Sequence, residues 1–192
     1  MLSVIIATRD SERALVPTLA ALVSGATAGL VSEVLVMDGG SRDDTAAVAD
    51  IAGCNFTALE GSLASRLRAG AAAARAPWLL FLQPGTVLNA GWPGEASRFL
   101  DESAANPRVA IFRRGIPAQP ALREALSLIV AAALRATPRA EQGLVISKQL
   151  YDQLGGHSET APDPEADLVR RIGRRRFVTL ASSAFSARWQ NA

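Results

Sequence analysis

Short apolar runs alternate with longer segments of helical spacing over the first half of the chain. Ser3–Ala7 (SVIIA), Glu33–Met37 (EVLVM) and Trp78–Leu82 (WLLFL) are continuous and largely β-branched or leucine-rich, with little polar alternation. That pattern predicts strands buried on both faces of a parallel sheet. Asn55–Leu59 predicts a further strand. Between them, Thr8-Arg9-Asp10-Ser11 supplies helix-starting residues before a helical pattern to about Val23, in which Pro17 suits a first turn better than an interior. Ser41 with Asp44 three residues on forms a capping-box pattern for a helix to about Ala52, where Gly53 stops it. Leu63–Ala76 reads as an Ala-rich helix.

After Gly85 the pattern loosens. It predicts a helix over Trp92–Glu102, an edge strand over Arg108–Arg113 and an apolar helix from about Ala121 to Arg135, bracketed by Pro117, Pro120 and Pro138. Gly143–Ser147 is a short strand and Lys148–Leu154 a short helix ending at Gly155-Gly156. Asp163-Pro164 opens another helix, with Gly173 as its stop, and Phe177–Leu180 is a final strand. Strands and helices in this order argue for an α/β fold with a mainly parallel central sheet flanked by helices. No repeat or low-complexity linker divides the chain, so residues 1–192 are expected to form a single domain.

Composition changes this picture little. The 192 residues are 49% hydrophobic and 20% charged, as in ordinary globular domains. The longest apolar run, Leu126–Leu134, is too short to cross a bilayer, and no leader-like segment opens the sequence, so the expected location is cytoplasmic. Cys54 is the single cysteine and has no internal disulfide partner. Of the 20 basic residues only Lys148 is lysine, an arginine bias that a GC-rich genome explains without nucleic-acid binding. Arg170, Arg171, Arg174, Arg175 and Arg176 cluster more tightly. They fit a solvated helix end, or a surface that meets phosphates or a membrane's anionic lipid.

Ligands of open α/β sheets bind beyond the carboxyl ends of the strands. Three early strands end there in polar or Gly-containing sequence: Thr8-Arg9-Asp10, Asp38-Gly39-Gly40-Ser41 and Gln83-Pro84-Gly85-Thr86. Asp10, Ser41 and Asp44 can be helix caps or ligand contacts. Asp38 is not needed as a cap and precedes two glycines that let a ligand approach the backbone, so it is the stronger candidate. No G-x-G-x-x-G or Walker loop follows the first strand, which argues against a dinucleotide dehydrogenase or a P-loop enzyme. His157, the only histidine, reads as a surface or packing residue, and Trp78, Trp92 and Trp189 as core residues.

SVIIATRDSE followed by EVLVMDGGSRDDTAAVA resembles the opening of a family-2 glycosyltransferase. The resemblance continues through RLRAGAAAARAPWLLFLQPGT, AEQGLVISKQLYDQLGGHSE and PEADLVRRIG, and SSAFSARW is similar to the ending of a bacterial subgroup of small, soluble members. It implies a GT-A-like nucleotide-diphospho-sugar transferase fold, with residues 1–88 as the nucleotide-binding half and 89–192 as the acceptor-side half. It implies a UDP- or GDP-type donor sugar and a hydroxyl acceptor, in a hexosyltransferase type of reaction. Thr8, Asp10, Asp38 and Gly39 would surround the nucleoside, and Arg66 and Arg68 the diphosphate or base, although Arg68 stands where the family often has Asn. Glu141 and Gln142 would meet the acceptor. Glu165 would be the base that takes the acceptor's proton, with Asp167 and Asp163 in reserve. The same three carboxylates also make an ordinary helix start.

One departure matters. The family's fourth strand ends in an acidic motif that holds Mn²⁺ or Mg²⁺ on the diphosphate, and the resemblance puts Gly85 at the acid's place. Gln83 offers only a neutral carbonyl, whereas a hard cation prefers carboxylates. Two readings follow: a transferase with an atypical metal site, or an inactive nucleotide- or partner-binding protein on the same fold.

Overall fold

The computed structural model describes residues 1–103, 108–115 and 139–186. Its elements run β1 (Leu2–Thr8), α1 (Glu12–Thr27), β2 (Val31–Asp38), α2 (Thr45–Ile51), β3 (Asn55–Ala58), α3 (Leu63–Ala73), β4 (Trp78–Leu82), β5 (Thr86–Leu88), α4 (Trp92–Glu102) and β6 (Val109–Arg114). A 3₁₀ turn over Ala140–Gln142 leads into β7 (Leu144–Ser147), α5 (Lys148–Gln153) and α6 (Pro164–Ile172). A second 3₁₀ turn over Arg174–Arg176 precedes β8 (Phe177–Ser186). The helix expected over 121–135, and Trp189, lie outside the described residues.

One eight-stranded sheet runs in the order β3-β2-β1-β4-β7-β6-β8-β5. β1 pairs in parallel with β2 and β4, and β2 with β3, as the apolar runs predict. β7 is antiparallel to both β4 and β6, while β8 lies parallel to β6 and antiparallel to β5. Alternate residues of β1 serve two cores. Leu2, Val4 and Ile6 pack with Leu15, Leu19 and Leu22 of α1 and with Trp92 and Phe99 of α4. Ile5 packs on the other face with Leu67 of α3, Leu150 and Tyr151 of α5, and Leu168 and Ile172 of α6. Each fully buried side chain of this size contributes roughly 1.5–3 kcal/mol, so the sheet needs cover on both faces.

Two close approaches and one cap fix the helices. A Cβ on Gly70 would lie 2.7 Å from the Ile5 side chain, so glycine lets α3 settle directly on β1. A Cβ on Gly25 would lie 2.3 Å from the Trp92 ring, whose Nε1 donates to the Ala21 carbonyl at 3.0 Å. Lys148 Nζ donates to the carbonyls of Ala71, Ala72 and Ala74 at 2.7, 3.1 and 2.9 Å. The only lysine thus satisfies the carbonyls at the end of α3, where a positive charge also suits the helix dipole.

Four local expectations are corrected. Ser41 does not cap α2, because its hydroxyl is taken by Asp38 and by the Asp10 N–H; Asp44 holds the N-cap position. Pro17 lies inside α1, beyond the first turn, where it withholds the N–H that would donate to the Arg13 carbonyl. β6 is flanked by β7 and β8 and is no edge strand. Finally, α3 ends at Ala73, as Ala74 turns extended ahead of β4. Asp163, in contrast, caps α6 as expected, accepting the Ala166 N–H at 2.9 Å, with Gly173 ending the helix at φ 78°.

Candidate functional site

Parallel pairing sets Thr8 opposite Asp38 at the carboxyl ends of β1 and β2. Asp38 is 3% exposed, and all four of its contacts come from groups that donate. Oδ1 accepts the Thr8 hydroxyl at 2.8 Å and the Ser41 hydroxyl at 2.5 Å. Oδ2 accepts the N–H groups of Gly40 at 3.0 Å and Ser41 at 2.8 Å. Burial alone would raise the Asp38 pKa, but these hydrogen bonds outweigh it and hold the carboxyl below its ordinary value.

The loops after β1 and β2 are knitted together. Asp10 sits at φ 48°, an uncommon conformation for a residue with a Cβ. It is secured there, since its N–H donates to Ser41 Oγ and its Oδ1 accepts the Arg42 N–H, both at 2.8 Å. Asp43 Oδ2 accepts the Glu12 N–H at 2.9 Å, tying the second loop to the start of α1. Behind them runs Arg66, 8% exposed, which donates through Nη1 to the Thr8 carbonyl. A Cβ on Gly39 would lie 2.5 Å from Arg66 Nη1, so glycine is required for this passage. Burial lowers the Arg66 pKa and the charge of Asp38 opposes that shift. Arg66 Nε is buried without a hydrogen-bond partner among the described residues, a condition that costs about 1–3 kcal/mol.

A second constellation lies beyond β4, β6 and β8. Gln83 Nε2 donates to Glu165 Oε2 at 2.6 Å. Burial pushes the half-buried Glu165 carboxyl up to about 7; the Gln83 hydrogen bond opposes this, while Asp163 and Glu141 add to it. Gln83 and Glu141 also line a cavity of about 230 Å³, with Pro84, Thr86, Arg114 and Arg139 among its other walls. Gly85, between them in sequence, takes φ 90° and donates its N–H to the Ala14 carbonyl and to Thr18 Oγ1, both at 2.9 Å.

Not every expected residue joins these groups. Arg68 donates to the Gly155 carbonyl at 2.7 Å and reaches Glu159 at 3.9 Å, so it braces the turn after α5. Asp167 is bound by Arg170 at 2.5 Å and Arg171 at 2.7 Å, contacts that hold its carboxyl below the ordinary value. Its neighbour Glu165 alone meets Gln83, because successive residues of a helix start face different ways. Gln142 holds its own turn, accepting the Arg139 N–H at 3.0 Å and donating to the Phe112 carbonyl at 2.8 Å, while Glu141 is exposed at the cavity. His157 is 1% exposed and packs edge-on to Phe81, with Nδ1 2.8 Å from the Tyr151 hydroxyl. Burial, with Arg171 and Arg68 nearby, depresses its pKa to about 4. Sequence reasoning did not single out Arg114 or Arg139. Arg114 ends an apolar strand, which the strand-end rule would have flagged; Arg139 carries no such signal.

The sequence pattern of glycosyl transferase family 2 matches residues 3–114, from β1 through β6. The chain belongs to this family. No curated protein sequence matches it. Similar solved structures include S. aureus TarS 1-349 in complex with UDP-GlcNAc, with TM-score 0.71 and 15% identity over 96% of this chain and 58% of that one. The mannosyltransferase PcManGT from Pyrobaculum calidifontis, in complex with GDP-Man and Mn²⁺, gives TM-score 0.72 and 13% identity over 100% of this chain and 58% of that one. Glucosyl-3-phosphoglycerate synthase from Mycobacterium tuberculosis, in complex with Mn²⁺, UDP and glucosyl-3-phosphoglycerate, gives 0.62 and 17% over 93% and 68%. This family-2 chain therefore has the GT-A fold, and it spans 58% of the length of the first of these relatives.

Two of those structures hold Mn²⁺, and at Gly85, where the resemblance sets the metal-binding acid, this family-2 chain offers no carboxylate. Gly85 has no side chain, its N–H is committed to α1, and Gln83 spends its amide on Glu165. Among the described residues no three His, Cys, Asp or Glu side chains are grouped to hold a metal ion. None of the described helices is long and apolar enough to cross a membrane.

Proposed function

We propose that this chain binds a nucleotide-diphosphate sugar and transfers the sugar to a hydroxyl acceptor, with Glu165 as the general base. The observation that carries this reading is the 2.6 Å contact between Gln83 and Glu165 beside the cavity. It joins the end of β4, where donor-binding residues cluster in such folds, to the head of α6. With its pKa near 7, the Glu165 carboxylate is matched to taking a hydroxyl proton at neutral pH. The acceptor oxygen then forms the new bond to the anomeric carbon as the nucleoside diphosphate departs with the bonding electrons. Thr8, Asp10, Asp38, Gly39 and Arg66 form the nucleoside side of the site in this reading, and Glu141 the acceptor side. Arg68, Asp167 and Gln142 support the loops around it. The named solved relatives carry UDP-GlcNAc, UDP or GDP-Man, which favours a UDP- or GDP-type donor.

Arg174, Arg175 and Arg176 form an exposed turn, whereas Arg170 and Arg171 are spent on Asp167. We propose a cytoplasmic protein that touches anionic lipid through this turn, tested by salt-sensitive sedimentation with vesicles containing phosphatidylserine. Calorimetric titration with UDP- and GDP-sugars tests the main reading. Binding of either, followed by release of the free nucleotide in the presence of a suitable acceptor, supports it. If no nucleotide of either type binds, both the transferase and the inactive nucleotide-binding reading fail.

A further inference from the structure

A departing diphosphate develops negative charge that something must neutralise. Gly85 has no side chain and Gln83 is neutral, so neither supplies a carboxylate to hold a cation on it. The positively charged residues that line the cavity are Arg114, at the end of β6, and Arg139, ahead of the 3₁₀ turn. Both belong to the walls that also contain Gln83 and Thr86, from the very segment where the metal ligand is missing. Among the described residues neither arginine enters an ion pair. The turn that carries Arg139 is itself fixed, because the Arg139 N–H donates to Gln142 Oε1 and Gln142 Nε2 donates to the Phe112 carbonyl on β6. The Gly115 N–H donates to the Ala184 carbonyl at 2.7 Å, which anchors the chain just after Arg114. Both arginines thus start from anchored backbone, in the lining of a cavity that is otherwise walled by neutral groups and the exposed Glu141.

We infer that Arg114 and Arg139 form a phosphate-binding subsite that works without a divalent cation. Guanidinium groups suit this role, since their fork of donors matches phosphate oxygens and their charge does not titrate. The inference rests on the proposed donor reading only for the source of the phosphate. The diphosphate of the donor and a phosphate group on the acceptor share the same chemistry. The donor is favoured because Gln83 and Thr86 line the cavity.

The test titrates inorganic pyrophosphate into the protein calorimetrically, in EDTA and then with Mn²⁺. Binding in EDTA, unchanged by Mn²⁺ and weakened about tenfold or more in R114Q/R139Q, is the expected result. Binding that requires Mn²⁺, or that is unaltered in the double variant, overturns the subsite. A second arm compares UDP and GDP with uridine and guanosine. If the double variant loses affinity for the diphosphates but not for the nucleosides, the subsite takes the donor. Loss of pyrophosphate binding with undiminished UDP and GDP affinity assigns it to a phosphate on the acceptor. Wild-type nucleotide binding is scored separately, so failure of the donor reading is distinct from failure of the subsite. Circular dichroism of R114Q/R139Q confirms folding, and an R114K/R139K variant that retains most of the pyrophosphate affinity excludes a merely structural effect.

Discussion

Gln83 Nε2 and Glu165 Oε2 lie 2.6 Å apart, linking the residue after β4 to the second residue of α6. Glu165→Gln keeps an acceptor for this hydrogen bond but removes the proposed base. It should lower sugar transfer about a hundredfold or more while leaving UDP and GDP affinity intact. Steady-state rates beside calorimetric titration make the comparison, and unchanged turnover removes Glu165 from the mechanism.

The same carboxyl sets a pH dependence in two observables. A base must be ionised, so the rate should rise with pH and level off above about 7. Stability runs the other way. A carboxyl raised from 4.5 to about 7 in the folded state contributes stability that is fully present below 4.5 and is lost as pH climbs through 7. Glu165→Gln should therefore melt higher than wild type at pH 8, with the gap closing toward pH 4.5; a gap that widens on acidification contradicts the burial of Glu165.

Asp38→Asn replaces a carboxylate that accepts two hydroxyls and two N–H groups with a side chain that has only one acceptor oxygen. Hydrogen bonds to charged groups contribute roughly 1.5–3 kcal/mol each, so a loss of at least ~2 kcal/mol in urea unfolding is expected. Because folding lowers the Asp38 pKa, this contribution is present above its ordinary value of 3.8 and fades as pH falls through the depressed one.

At Gly85 the backbone sits at φ 90°, which a residue with a Cβ adopts only under strain. Gly85→Asp restores the family's acid in sequence, yet should cost roughly 1–3 kcal/mol of stability and create no Mn²⁺ site. Denaturant unfolding and Mn²⁺ titration of the variant decide this, and tight Mn²⁺ binding without loss of stability would refute it.

His157 should titrate near pH 4 by NMR and stay neutral at pH 7. A depressed histidine makes the fold progressively less stable as pH falls from 6.5 toward 4, where the unfolded chain takes up the proton first. Tyr151→Phe removes the hydroxyl at Nδ1 and should destabilise by about 1 kcal/mol. An ordinary pKa of 6.5 in wild type would contradict the buried packing against Phe81.

Local patterns revealed the strands and missed the contacts between distant residues. β1, β2 and β4 were legible because continuous burial leaves a continuous apolar run. β5 spans three residues, too few for any period to show. β6, expected as an edge strand over Arg108–Arg113, instead lies between two neighbours with its first four residues buried. Ser41 matched a capping pattern, but tertiary partners Asp38 and Asp10 claimed its hydroxyl. In the site, the resemblance pointed separately to the ends of β4 and to the head of α6. Only the fold brings Gln83 and Glu165 into contact across 82 positions of sequence.

β8 enters the sheet between β6 and β5, with Thr86 opposite Ser186. β1 to β4 all lie within the first 82 residues, so their pairing partners are synthesised early. β5, by contrast, must wait for a partner made about a hundred residues later. Until then the cavity beside Gln83 lacks the wall that Ala184 and Ser186 provide. A nascent chain would thus hold Thr8 beside Asp38 well before it possessed the closed cavity.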